Sequence, residues 1–188
     1  MNTRRRLSLL LLLAAGLLCG SAGYVQAKAW LAQLLLEQAW QRSAAGAVAA
    51  KPWPWADTRP VARLRVARLG VDQIVLAGDS GRSLAFGPAW NEASAAPGAA
   101  GTSVISGHRD THFEFLRHLS NGDVIEIESR GRLRRYRISA QQVVDARTTR
   151  IAAGEGTATS KLLLVTCYPF DGWIAGGPLR YVIEAVPV

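Results

Sequence analysis

Cysteine is scarce in this 188-residue chain: there are two, Cys19 and Cys167. Cys19 sits inside an apolar leader, so Cys167 has no cysteine partner in the rest of the chain, and a disulfide framework is excluded. Acid is almost missing at the start, where residues 1–56 hold six basic side chains and one carboxylate, Glu37. From Asp57 onward the chain has 16 basic and 13 acidic residues. The formal net charge of +8 therefore belongs mostly to the leader. The broad basic footprint of a nucleic-acid domain is absent, which argues against DNA or RNA as a partner. No internal repeat is visible, and the length suits one domain with a single core.

Charge is wholly absent from Leu7 to Ala27, a run of 21 residues that follows Arg4, Arg5 and Arg6. A helix needs roughly 20 apolar residues to cross a hydrocarbon core, and flanking arginines hold their end in the cytoplasm. Residues 1–27 are expected to be a cytoplasmic start and a transmembrane signal anchor, with the rest of the chain exported. Val25-Gln26-Ala27 resembles a small-residue cleavage site, so a removed signal peptide is the competing reading; the apolar run exceeds the usual core of about 7–15 residues. Residues 28–56 form a juxtamembrane unit. Trp30, Leu31, Leu34, Leu35, Ala39 and Trp40 recur at near-helical spacing, and Ala/Gly-rich residues 43–50 with "KPWPW" read as a linker. Four of the six tryptophans, Trp30, Trp40, Trp53 and Trp55, fall here. They suit either the bilayer interface or packing on the following domain.

Residues 57–188 change character. "ARLRVARLGVDQIVLAG" alternates apolar and polar residues and predicts two short strands. "SGRSLAFGPAWN" fits one helical turn capped by Ser80. "TSVISGHRD" reads as a strand ended by Gly107, "HFEFLRHL" as a short helix, and "VIEIES" with "LRRYRIS" as a hairpin about "RGR". "QQVVDARTTRI" gives a further strand and turn, "AAGEGTATS" a loop, "KLLLVTC" a buried strand and "LRYVIEAV" a last one. Many short strands with few helices predict a mainly β domain, closed or nearly closed into a barrel.

Cys167 stands at the edge of "LLLV" and before Pro169, which cannot continue a central ladder. A strand end holds a nucleophile rigidly while leaving it open to a cleft; the bland alternative is a small buried hydrophobe. An unperturbed thiol of pKa about 8.5 is mostly protonated at neutral pH, and a histidine is the usual activator. Of the three histidines, His112 and His118 belong to or flank the short helix. His108 follows strand "SVIS" and Gly107, the same strand-end context as Cys167. "HRDTH" offers a competing metal reading through His108, Asp110 and His112, without a further ligand cluster. Arg180 opens the final strand thirteen positions beyond Cys167. If the two strands are antiparallel neighbours it lies beside the cysteine, where a guanidinium would face developing negative charge.

Together, "SGHRD", "LVTCYPF" and "GGPLRYVI" resemble the sortases, a cysteine transpeptidase family with a histidine after one strand, a Leu-x-Thr-Cys motif at the end of another and an arginine opening the last. The resemblance covers about residues 60–186 and includes Pro97-Gly98 and "NGD". Leu163 stands where a threonine is often found. The wording "GHRD" and "CYPFDG" looks most like sortases of Gram-negative bacteria.

The resemblance implies an eight-stranded sortase-type β barrel with short helices, catalytic His108, Cys167 and Arg180, and Thr166 as a substrate contact, with Asp110 orienting local groups. It implies a hydrolase-class enzyme that cleaves the C-terminal sorting signal of an exported protein through a Cys thioester and passes the acyl group to an amine acceptor. No cofactor or metal is implied, since the 154–160 loop offers calcium only Glu155. The place implied is a bacterial inner membrane, single-pass, with the catalytic domain on the periplasmic side. An L,D-transpeptidase is the enzymatic rival, but its Ser-x-Gly-Cys-x-Arg signature is missing. The non-enzymatic rival is a membrane-tethered β-barrel binding module with an inert Cys167.

Overall fold

Strand alternation builds the wall of the molecule. In β1 (Pro60–Val66) the even-numbered residues Pro60, Ala62, Leu64 and Val66 are buried, and Val61, Arg63 and Arg65 face outward. Gly70, at φ 64°, ends a short 3-10 turn and sends the chain back as β2 (Val71–Ala77), antiparallel with Val66 opposite Val71. Glycine carries such a left-handed turn without steric cost. The computed structural model describes residues 3–44, 50–150, 160–172 and 176–188, apart from the side chains of residues 3–10, 14, 18, 19 and 22.

Six more strands complete the barrel: β3 (Ala89–Trp90), β4 (Thr102–Ser106), β5 (Val124–Ser129), β6 (Arg132–Asp145), β7 (Lys161–Cys167) and β8 (Leu179–Pro187). Their order around the closed barrel is β1-β2-β3-β4-β7-β8-β6-β5, so β5 returns to pair with β1 and no edge is left open. β4 and β7 run parallel, with Ser106 level with Val165. Thr102 to Ile105 and Leu162 to Leu164 are all buried, as expected of parallel strands covered on both faces. Leu64, Ile105, Ile125, Ile127, Tyr136, Leu164 and Ile183 fill the interior, and Phe113, Leu116 and Leu119 join them from the short 3-10 segment after β4.

The barrel has two distinct ends. One carries the C-terminal ends of β4 and β7 and the start of β8. The other carries the β5–β6 turn, where Arg130 and Gly131 both have positive φ (50° and 71°), the signature of a two-residue hairpin turn matched to strand twist.

α1 (Thr3–Ala44) lies across β1–β3. Leu36 and Trp40 pack on Ile74, Leu76 and Ala89. Gln33 donates to the Phe86 carbonyl at 2.8 Å, and Arg63 joins Glu37 of the helix (2.8 Å) to Asp72 of β2 (2.6 Å). Of the two roles open to the juxtamembrane tryptophans, Trp40 takes packing, whereas Trp30 and Trp55 stay 68% and 80% exposed.

Several details depart from the sequence expectations. The leader and the amphipathic stretch form one continuous helix. β3 is an unanticipated two-residue strand. "LRRYRIS" and "QQVVD" are a single strand, β6, with an irregularity between Ile138 and Ala140. The expected turn capped by Ser80 is present as α2 (Gly81–Leu84), where the Ser80 hydroxyl accepts from the Ser83 N–H. The loop expected over 152–160 lies, up to residue 159, outside the described residues. Among the described residues no helix is long and apolar enough to cross a membrane; the expected anchor at Leu7–Ala27 has many of its side chains outside the described set.

Candidate active site

At the end of β4 the ladder runs one residue past the strand, with the Gly107 N–H donating to the Val165 carbonyl at 3.1 Å. The buried Thr166 hydroxyl donates to the Gly107 carbonyl at 2.7 Å, tying the two parallel strands together at their tips. Glycine is required at 107 by space, since an added Cβ would lie 2.6 Å from the Phe113 ring. The chain then turns, and the Phe113 N–H returns to the His108 carbonyl at 2.9 Å. His108 is left exposed at the lip of the barrel.

The strand register brings two of the three predicted catalytic positions together. Cys167 and Arg180 are direct partners across the antiparallel β7–β8 pair. The β4–β7 pairing ends at Ser106 and Val165, and the contacts of Gly107 with Val165 and Thr166 leave His108 at the tip of the strand beside β7. Across the sheet order β4-β7-β8, His108 follows the end of β4, Cys167 ends β7 and Arg180 lies at the start of β8. Cys167 is a free, partly buried thiol. Arg180 is also partly buried, and its Nη1 donates to the carbonyls of Gly177 (2.6 Å) and Leu179 (2.9 Å).

Thr166 was expected to touch substrate. It is 2% exposed, and its hydroxyl fastens the strand tips by donating to the Gly107 carbonyl. His112 is partly buried and held below the ordinary histidine value, chiefly by burial and further by the neighbouring His108, against the raising effect of a hydrogen bond that it donates to the Ala85 carbonyl. Its own carbonyl accepts from Gln73 at 2.9 Å. His118 is out on the surface, 3.6 Å from Glu114. Asp110 is exposed. Among the described residues no group of three or more potential metal ligands forms, so the "HRDTH" alternative gains no support from geometry.

Sequence reasoning passed over the arginines that hold the segment after Cys167. Arg109, next to His108, donates through Nη1 to the Pro169 carbonyl (2.8 Å) and through Nη2 to the Gly172 carbonyl. Arg117 pairs with Asp171 at 2.8 Å and lies over the Phe170 ring, 5.0 Å from its centroid. Phe170 in turn meets Tyr181 edge-on at 5.3 Å, and Tyr168 stacks on Tyr181 at 6.3 Å. The one signal in the sequence was adjacency to His108; Pro169 and Gly172 offer Arg109 main-chain carbonyls, which no side-chain pattern announces.

Comparison with known proteins gives a consistent assignment. The sortase-domain family profile matches residues 64–188. The chain is 29% identical over 120 residues to Sortase D of Bacillus subtilis (strain 168), a match spanning 64% of this chain and 60% of that protein's length. Among solved structures it is similar to the Clostridium perfringens Sortase D5 transpeptidase (23% identity, TM-score 0.61, covering 69% of this chain and 79% of that one). It is similar also to sortase A from Corynebacterium diphtheriae (23% identity, TM-score 0.62, 84% of each chain). A barrel of this strand order and a family match over 64–188 lead to one conclusion: the chain belongs to the sortase family.

Proposed function

We propose that the protein is a cysteine transpeptidase that cleaves the C-terminal sorting signal of an exported protein and transfers the acyl group to an amine. The observation that carries the reading is the register that pairs Cys167 with Arg180, with His108 two residues past the end of the neighbouring strand β4. The Cys167 thiolate attacks the carbonyl carbon of a Thr–Gly-like bond. Arg180 donates to the tetrahedral oxyanion or to the substrate backbone, a type of contact that lowers acyl-transfer barriers. Collapse of the intermediate breaks the C–N bond, His108 protonates the departing amine, and a thioester remains on Cys167. His108 then takes a proton from the incoming amine, which attacks the thioester and releases the thiolate. No step calls for a cofactor.

Membrane tethering belongs to the same reading. It is supported by the charge-free run from Leu7 to Ala27 behind three arginines and by the direction of α1. Gln33 and Glu37 lie on the His112 side of the barrel, whereas Trp40 and Ala44 lie beside Pro60 and Gly131 at the hairpin end. The N-terminal part of α1 therefore leaves past the end that carries Cys167. A bilayer holding that segment would lie on the catalytic side, where a membrane-borne sorting signal is also found. We place the enzyme as a single-pass protein of the bacterial inner membrane with residues 57–188 as its catalytic unit outside the cytoplasm; the Gram-negative likeness rests on "GHRD" and "CYPFDG".

Incubation with a quenched-fluorescence peptide containing a Thr–Gly bond, followed by intact-mass measurement, tests the mechanism. The unaltered chain should gain the mass of the acyl fragment and Cys167→Ala should gain none, with its melting behaviour unchanged. Turnover by Cys167→Ala would end this reading.

A further inference from the structure

His108 occupies an exposed loop, yet a general acid must be held within hydrogen-bond reach of the atom it serves. Its own backbone is restrained by the hydrogen bond from Phe113. The restraint across to the cysteine side comes from the next residue. Arg109 reaches over 60 positions in sequence to the Pro169 carbonyl and 63 to the Gly172 carbonyl. These are the second and fifth residues after Cys167. A planar guanidinium suits this task, because its donors diverge in a fixed fork and can hold two carbonyls at once; an ammonium is a point charge on a flexible stem.

Space on the other side of the fork is closed as well. A Cβ added at Gly172 would lie 2.9 Å from Arg109 Nη1 and 3.2 Å from the Pro169 carbonyl oxygen. The backbone of the "PFDG" turn thus wraps the guanidinium closely, and glycine at 172 leaves it room. Arg117, five residues further on from the turn after β4 than His112, grips the same segment through Asp171 and the Phe170 face. Asp171 is 87% exposed, so that ion pair is a weak fastener. Arg109 is the inner one.

Resting on the transpeptidase reading above, we propose that Arg109 is a positioning residue: by bridging the Pro169 and Gly172 carbonyls it locks the His108 loop to the segment that follows Cys167. It touches neither substrate nor the reacting atoms and acts through His108. Loss of the bridge lets the imidazole drift relative to the thiol, and a misplacement of about 1 Å in a reacting geometry costs on the order of 10²-fold in rate.

Two measurements on the full chain test this, with Arg109→Met removing the donors while keeping the stem and Arg109→Lys keeping the charge. The first is the rate at which iodoacetamide alkylates Cys167 at pH 7, which needs no knowledge of the natural substrate. The second is turnover of the Thr–Gly peptide. Arg109→Met should alkylate several-fold more slowly and lower kcat by about 10–100-fold with KM within about two-fold and an unchanged melting midpoint; Arg109→Lys should fall between it and the unaltered chain.

Gly172→Ala supplies an independent arm. It should displace the guanidinium and slow the unaltered chain, yet add little to Arg109→Met, because the two changes break one contact. Equal losses from Gly172→Ala in both backgrounds, or alkylation and kcat in Arg109→Met like those of the unaltered chain, would overturn the proposal. An unaltered chain that alkylates readily but never cleaves the peptide would count against the transpeptidase reading, while the alkylation comparison would still decide the role of Arg109.

Discussion

Arginine is used in two ways on this barrel, and the contrast separates wall from site. Along β1 and β2 the guanidiniums meet carboxylates: Arg63 lies between Asp72 and Glu37, Arg65 reaches Asp72 and Glu128, and Arg68 pairs with Asp123 at 2.6 Å. At the His108–Cys167 end, Arg109 and Arg180 meet main-chain carbonyls. A carboxylate neutralises the cation and leaves an ion pair whose net value at the surface is small. A carbonyl contact fixes the side chain in place without forming an ion pair of its own. On the wall the guanidinium fastens strand to strand, and at the site end main-chain contacts fix where Arg109 and Arg180 sit.

Arg180 gives the largest test of that division. Arg180→Lys keeps the positive charge but not the planar fork, and removal of an oxyanion donor typically costs about 10²–10³ in turnover. A loss on that order is expected in peptide cleavage by both Arg180→Lys and Arg180→Ala, whereas Arg63→Lys on the wall should cleave at nearly the unaltered rate. Unaltered rates in both Arg180 variants would remove that residue from the site and dissolve the contrast.

A smaller effect is expected where the site meets the core. Gly107→Ala would push a methyl group into the fully buried Phe113 ring, 2.6 Å away, directly before His108. Overpacking of this kind costs about 1–3 kcal/mol, readable as a lower midpoint in urea unfolding. Cleavage should fall further than stability accounts for, because relief of the clash shifts the backbone that carries His108. A variant destabilised but fully active in its folded fraction would show that the Gly107 contact serves the core alone.

Much of this end of the molecule was legible in the sequence because its signals are local. The period-two alternation of "VIEIES" and "LRRYRIS" and the glycine punctuation after "SVIS" mark strands and their ends. An arginine opening the strand after the loop is enough to put Arg180 opposite Cys167 once β7 and β8 pair, and the glycine after "SVIS" marks where β4 ends before His108. What was not legible depends on partners far apart in sequence. β3 is two residues long and exists only because Ala89 and Trp90 bridge β2 and β4. The role of Thr166 turns on a carbonyl 59 positions away. Docking of α1 rests on Leu36 and Trp40 finding Ile74, Leu76 and Ala89; periodicity marks such a face as apolar without saying what covers it.

The smallest expected effect belongs to the wall, at Arg63. Its side chain is 21% exposed and that of its partner Asp72 is 42% exposed, so solvent screens much of the interaction. Arg63→Met should therefore cost only about 0.5–1 kcal/mol in unfolding free energy, with cleavage unchanged. Asp72 is held below its ordinary value of 3.8, first by the hydrogen bond from Arg63 and then by the charges of Arg63 and Arg65, against the opposing pull of partial burial. A carboxylate depressed in the folded state stabilises the fold fully above its unfolded value and loses that contribution as the pH falls through the lower folded value. The stability difference between the unaltered chain and Arg63→Met should accordingly be full at pH 7, begin to shrink below about pH 4 and close at still lower pH. High salt should also shrink it at neutral pH, because screening shortens to about 3 Å at 1 M. Urea unfolding at pH 7 and pH 3, with and without 1 M sodium chloride, measures both trends. A difference that is large, salt-independent and unchanged at pH 3 would mean that Arg63 acts through packing of its stem against α1, and the wall would then no longer differ from the site in the way its carboxylates indicate.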